Sequence, residues 1–455
     1  MNTHDKKTLH DKDRRYVWHP FTQMKDYADK DHVLIESAEG VFLFDADGHR
    51  YYDTISSWWV NVHGHSHPRI QKAMNAQIQK LDHVMFSGFT HSTAIELAEQ
   101  LVNLTPQGLE KVFYSDNGST AVEVALKMSF QYWQQIGQST KTKFVYVEDS
   151  YHGDTLGAVS VGGVNEYHSM FRPLLFSAYA VPSPNVRAWA SDAEDAQAQC
   201  LSHCLSAVRQ RFESSAHEIA ALIVEPMVQA AGGMNIYPAS YLRELRELCT
   251  QFEVHLIADE VAVGFGRTGR MFACEHAGIT PDLMCLSKGI TGGVMALAAT
   301  LCTQTIYDAF YDDYEMLKTF THGHSFTGNP LATAVALESL AIFRDEHVLD
   351  HVAEMSLLLE HQIQRFHDFT HVANIRNLGM IAAFDLVKNR YTREQYAFQE
   401  RIGYRVYQEG LKEGLLLRPL GNTIYYWLPL ATKEHELVDI IVRTEKVISR
   451  IQTSS

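Results

Sequence analysis

The feature that most restricts this chain is a series of short, almost wholly apolar runs, each ending in a polar turn. They cover residues 144–147, 220–224, 254–258, 283–286 and 297–302. None shows the apolar–polar alternation of a half-exposed strand, so they read as strands buried on both faces. Segments of helical spacing lie among them, such as residues 93–102 and 121–133, and residues 111–115 add another short strand. This alternation predicts an α/β fold with a mainly parallel central sheet covered by helices.

A chain of 455 residues outgrows one small core. Near the start, residues 41–44 and 50–53 flank Asp47-Gly48, the signature of a hairpin. Residues 331–343 read as a helix that leaves the large sheet. Beyond it, strands at 381–386 and 423–428 predict a smaller α+β domain. The expected division is a segment 1–75 joining the small domain, a large domain 76–344 and a C-terminal small domain 345–455.

Composition narrows the function by exclusion. The net charge is −15, whereas nucleic-acid binding needs a basic surface, so no such partner is expected. No run of about 18 apolar residues predicts a membrane span, and the polar opening MNTHDKKTLHDKDRR lacks a signal-peptide core. The six cysteines are scattered through apolar or helical contexts, as reduced thiols of a cytoplasmic protein would be. The histidines at 63, 65, 67, 322 and 324 lack a metal-site pattern, so no metal is expected.

Four features sit just beyond apolar runs, where α/β sheets bind ligands. Asp259 closes the run 254–258; it can hold a pyridine nitrogen protonated or simply cap a helix. Lys288 comes just after the run 283–286, among Gly289, Gly292 and Gly293; it reads as a desolvated Schiff-base nucleophile or as a solvated strand end. Gly118, Ser119 and Thr120 open the helix 121–133 as an anion cradle or as an ordinary cap. Tyr151, in Tyr-His-Gly-Asp, can stack on a cofactor ring or belong to a surface turn. Glu225 puts another acid at the same edge. The G-x-G-x-x-G of residues 264–269 lacks the subsequent helix that a dinucleotide site needs. Individually modest, together these form an ordered set: anion cradle, stacking aromatic, ring-nitrogen acid and Schiff-base lysine.

With Ile257-Ala258-Asp259-Glu260-Val261, Gly264–Gly269 and Ser287-Lys288-Gly289-Ile290-Thr291-Gly292-Gly293, the chain resembles the class III aminotransferases. Trp18-His19-Pro20, Ser56-Ser57-Trp58-Trp59, Tyr151-His152-Gly153-Asp154, Phe272-Ala273-Cys274-Glu275-His276 and Arg418-Pro419 are similar to the branch acting on 8-amino-7-oxononanoate in biotin synthesis. The resemblance implies fold type I and the cofactor pyridoxal 5′-phosphate. It implies Lys288 as Schiff-base lysine, Asp259 as pyridine-nitrogen partner, and Gly118 and Ser119 as phosphate cradle. It implies Tyr151 on the ring, with Glu225 and Asp154 as polar neighbours. Trp58, Trp59 and Gly323 would line the substrate pocket, and Arg418 would clamp the acceptor carboxylate. Ser325 would reach the phosphate of a neighbouring subunit in a homodimer with active sites at the interface. Phe21 stands where many relatives carry tyrosine. The implied amino donor is S-adenosylmethionine, favoured by Trp58-Trp59, over lysine, which Phe21, Phe310–Tyr314 and His324-Ser325 favour.

Overall fold

The computed structural model describes residues 3–30, 32–188 and 195–453. In chain order its strands are β1 (Ile35–Glu39), β2 (Phe42–Asp45), β3 (Arg50–Tyr52), β4 (Leu109–Ser115), β5 (Lys143–Val147), β6 (Tyr179–Val181), β7 (Ile219–Val224), β8 (Val228–Gln229) and β9 (Asn235–Ile236). They continue with β10 (His255–Asp259), β11 (Leu283–Leu286), β12 (Ala298–Thr303), β13 (Val372–Leu378), β14 (Ile381–Asn389), β15 (Glu394–Gln395) and β16 (Thr423–Trp427).

The expected α/β architecture is present. A seven-stranded sheet runs in the order β4-β12-β11-β10-β7-β5-β6. Every residue of β7, β10 and β11 is buried, which is why these runs carry no alternation. The pairings β10–β11, β10–β7, β5–β7 and β5–β6 are parallel, while β12 runs against both β11 and β4. Residues 297–302 thus form the expected strand in reversed direction, which a short apolar run cannot reveal. Register then aligns the carboxyl ends: Ala258 lies opposite Val224, and Asp259 opposite Cys285. Glu225, Asp259 and Lys288 consequently leave the sheet at one edge.

Helix Gly118–Gln135 crosses this sheet and buries Ala121, Val122, Val124, Ala125 and Leu126. Helix Pro330–Asp345 starts at Asn329, whose side chain accepts from the amides of Leu331 and Ala332, satisfying two of the unpaired donors of a helix start. The predicted hairpin is β2–β3, with Gly48 at φ +83° in its turn; β1, on its outer side, is not evident from the sequence pattern. A second antiparallel sheet places β14 beside β13, β15 and β16. The two ends of the chain are stitched together there. Tyr52 N donates to Gly414 O at 2.8 Å, Leu416 N to Tyr52 O at 2.9 Å, and Trp427 N to Thr54 O at 2.8 Å.

Candidate active site

At the carboxyl edge of the central sheet lies a cavity of about 190 Å³. Asp259, the last residue of β10, lines it. Its Oδ2 lies 2.6 Å from His152 Nδ1, and its Oδ1 accepts from Val261 N at 3.0 Å. Both side chains are buried, so each group satisfies the other where water cannot. Glu225 lines the same space. Its Oε1 accepts weakly from Ala230 N at 3.4 Å, whereas Oε2 has no protein partner. Burial, and then the neighbouring Asp259, push the Glu225 carboxyl well above its usual range, which favours its neutral form.

Lys288 lines the same cavity from a short turn just after β11, at φ +45°. Its Nζ lies 4.7 Å from the centre of the Trp59 ring. Burial draws its ammonium down from 10.5 to about 8, against the opposing pull of Asp259 and Glu225. An amine so poised is available as a nucleophile near neutral pH.

The start of helix Gly118–Gln135 faces the same cavity. Asn117 and Thr120 form a reciprocal capping box. The Thr120 hydroxyl is spent on this, since it donates to Asn117 O and accepts from Asn117 N. It is therefore not the anion ligand that its position at a helix start allows. Gly118 and Ser119 remain, with first-turn amides that have no carbonyl within the helix to meet. Two glycines keep this cradle open: a Cβ on Gly118 would meet Val261 Cγ1 at 2.5 Å, and one on Gly153 would meet Ser119 Cβ at 2.2 Å. Tyr151 stands half-buried on the rim, its hydroxyl donating to Asp154 Oδ2 at 2.8 Å.

These features fit pyridoxal phosphate. The anion cradle, the aromatic face of Tyr151, the Asp259 carboxylate and the Lys288 amine suit its phosphate, ring, pyridine nitrogen and aldehyde respectively. The unpartnered Oε2 of Glu225 adds a buried polar atom facing the space where such a ring would lie.

Of the residues singled out in the sequence, Gly118, Ser119, Tyr151, Asp154, Glu225, Asp259, Lys288 and Trp59 line this one cavity. Trp58 and Arg418 lie outside that lining but pair with each other, the guanidinium 4.2 Å from the indole centre. Among the described residues Arg418 has no carboxylate partner. Phe21 meets Trp58 edge-on at 5.6 Å and Tyr167 at 5.5 Å, so the missing hydroxyl leaves an apolar contact. Gly323 and Ser325 are exposed and away from the cavity of their own chain. The G-x-G-x-x-G stretch holds no ligand cradle; its Arg267 is buried and donates to the carbonyls of Leu428 and Asn61.

Two features of the site are not apparent from the sequence. His152 stands there only as one letter of a motif, although its ring is the nearest partner of Asp259. The tryptophan pair stands on a left-handed turn: Ser56, Ser57, Trp58 and Trp59 have φ of +49°, +46°, +75° and +72°. Such a turn costs L-residues about 1–2 kcal/mol each, and no glycine or asparagine announces it.

Residues 24–448 match the class-III aminotransferase family. The chain belongs to the class-III aminotransferases. Like its family, this class-III aminotransferase uses pyridoxal phosphate. It is 48% identical over 451 residues to an adenosylmethionine-8-amino-7-oxononanoate aminotransferase of Geobacter sulfurreducens, with 99% of both chains covered. The crystal structure of the enzyme so named from Methanocaldococcus jannaschii superposes with a TM-score of 0.93 at 38% identity, covering 98% of this chain and 99% of that one. An amine transaminase from an uncultivated Pseudomonas species, solved in its PLP-bound form, gives a TM-score of 0.91 at 34% identity, covering 96% of this chain and 98% of that one.

Proposed function

We propose that this aminotransferase moves the amino group of S-adenosylmethionine to 8-amino-7-oxononanoate, giving 7,8-diaminononanoate in two half-reactions at one site. The observation that carries the reading is that Lys288 and Asp259 open onto the same cavity. Pyridoxal phosphate, when bound there, supplies the electron sink that renders a substrate α-C–H acidic.

The protein's own groups do the rest. Asp259 would keep a proton on the pyridine nitrogen, and His152 holds its carboxylate in place. Lys288 Nζ, as the free amine, would take the proton from the donor α-carbon and, in the return half-reaction, would deliver one to C7 of the acceptor. Gly118 and Ser119 would hold the phosphate through backbone amides. Tyr151 would cover the ring face. Trp59 and Trp58 wall the substrate channel, and Arg418 receives the acceptor carboxylate through paired N–H donors.

Other assignments belong to the same reading. Residues 1–75 join 345–455 as a small domain beside a large domain 76–344, a division supported by the backbone bonds between 52–54 and 414–427. A homodimer delivers Gly323 and Ser325 from the partner subunit, consistent with their exposure in a single chain. No helix among the described residues is long and apolar enough to cross a membrane, and we place the enzyme in the cytoplasm.

The test incubates the loaded enzyme with S-adenosylmethionine and, separately, with lysine. S-Adenosylmethionine bleaches the cofactor's visible band, and subsequent 8-amino-7-oxononanoate restores it. Bleaching by lysine alone reassigns the donor. Restoration by simple ketones but not by 8-amino-7-oxononanoate reassigns the acceptor.

A further inference from the structure

Asp53 takes no part in the chemistry above, yet it is a fully buried acid beside the tryptophan wall. Its Oδ1 accepts from Ser57 N at 2.8 Å; its Oδ2 accepts from the Ser57 hydroxyl at 2.7 Å and lies 2.9 Å from His65 Nε2. Two of these three contacts fall on Ser57, the second of four consecutive L-residues in the left-handed region. The turn is closed by Trp59 N donating to Ile55 O at 2.8 Å and Val60 N donating to Ser56 O at 2.9 Å. Ser56 Oγ ties it to Trp427 O at 2.6 Å.

A run of this hand is disfavoured because each Cβ crowds the next carbonyl, and it persists only where the surroundings over-determine it. The groups that the turn places are functional. Trp59 stands over the Lys288 amine, and Trp58 lies against the Arg418 guanidinium. The turn leads directly into residues packed on the lysine loop: Val62 N donates to Gly292 O at 3.3 Å, and a Cβ on Gly293 would meet Val60 O at 2.6 Å. A relaxed, extended course through 56–59 would carry both indoles off these cations.

We infer that Asp53 is a positioning residue whose carboxylate clamps the left-handed turn 56–59 and thereby sets the substrate-facing tryptophan pair. The inference rests on the reading of Trp58, Trp59 and Arg418 as the acceptor pocket. Asp53 itself touches neither cofactor nor substrate. Its effect is therefore on acceptor fit, with the cofactor cradle at Gly118 and the Asp259–His152 pair left intact.

The test compares wild type, Asp53→Ala, Asp53→Asn, and the double variant Asp53→Ala/Ser57→Gly. Glycine adopts the left-handed conformation without strain, so Ser57→Gly relieves the strain that the clamp restrains. Asp53→Ala is expected to lower kcat/KM for the acceptor by roughly 10²-fold, chiefly through KM, while the visible band of the bound cofactor is retained. The double variant recovers about tenfold of that loss, and Asp53→Asn falls between. Amide hydrogen exchange at Ser57, Trp59 and Val60 rises in Asp53→Ala in the cofactor-free protein as well, which reads the turn independently of turnover. Unchanged exchange with unchanged acceptor KM overturns the inference; so does a loss of activity that Ser57→Gly does not relieve. If Asp53→Ala fails to fold, Asp53→Asn alone decides by the same two readouts. If wild type aminates a different acceptor, the functional reading fails, and the same four proteins are compared on that acceptor.

Discussion

The lowered basicity of Lys288 leads to a prediction that needs no substrate. Its ammonium stands near 8 instead of the ordinary 10.5, and burial is the main cause. At pH 7 about one molecule in eleven therefore carries a neutral Lys288 amine, against about one in three thousand for an ordinary lysine, a gain of about 300-fold in nucleophile. Cofactor-free protein mixed with pyridoxal phosphate in a stopped-flow spectrometer should form its visible band about tenfold faster for each pH unit up to about 8. Above that the rate should level off. Lys288→Met gives no band at any pH. A rate that keeps climbing towards pH 10 refutes the argument, because it would mean that the cavity does not desolvate the ammonium. The same shift has a stability counterpart. Between about 8 and 10.5 the unfolded chain holds a proton on Lys288 that the native state has lost, so the cofactor-free protein gains stability as pH rises through that window. Below it the full cost is present. Lys288→Met removes that cost and should stabilise the cofactor-free protein at pH 7 by on the order of 2 kcal/mol, discounted because water reaches part of this half-buried side chain.

Three further outcomes are expected from the site. Asp259→Asn removes the charge opposite His152 and should lower kcat by about 10²–10³-fold with the cofactor still bound, checked by absorbance alongside turnover. Gly118→Ala puts a methyl 2.5 Å from Val261 Cγ1 and should weaken cofactor retention about tenfold, measured by dialysis equilibrium. Arg418→Lys keeps the charge but loses the paired donors, so KM for 8-amino-7-oxononanoate should rise about tenfold with a smaller change in kcat.

The sheet, its carboxyl-edge acid and its lysine are legible in the sequence because strands buried on both faces leave continuous apolar runs, and polar residues at or just beyond the ends of β7, β10 and β11 line one cavity. Asp259 and Lys288 are 29 positions apart, yet adjacency of β10 and β11 brings them to one cavity. The direction of β12 is not legible, since hydrophobicity carries no arrow. His152 is inconspicuous because its importance comes from a partner 107 positions away. A hydroxyl at a helix start suits either an anion or a cap, and at Thr120 the capping box claims it. The left-handed turn at 56–59 is invisible because Ser and Trp have no propensity for it; a buried acid four residues before Ser57 imposes it. Gly323 and Ser325 stand out through resemblance alone, and their place in a single chain gives them no contact with its cavity.

The backbone bonds that join residues 52–54 to residues 414–427 bear on how the enzyme is made. Trp59 leans on Trp427 at 5.1 Å between ring centres and donates to the Tyr425 hydroxyl at 3.2 Å. One wall beside the lysine thus waits for residues made 366 positions later in the chain. A nascent chain can assemble its central sheet, whose last strand ends at Thr303, well before it can finish this wall of the substrate pocket.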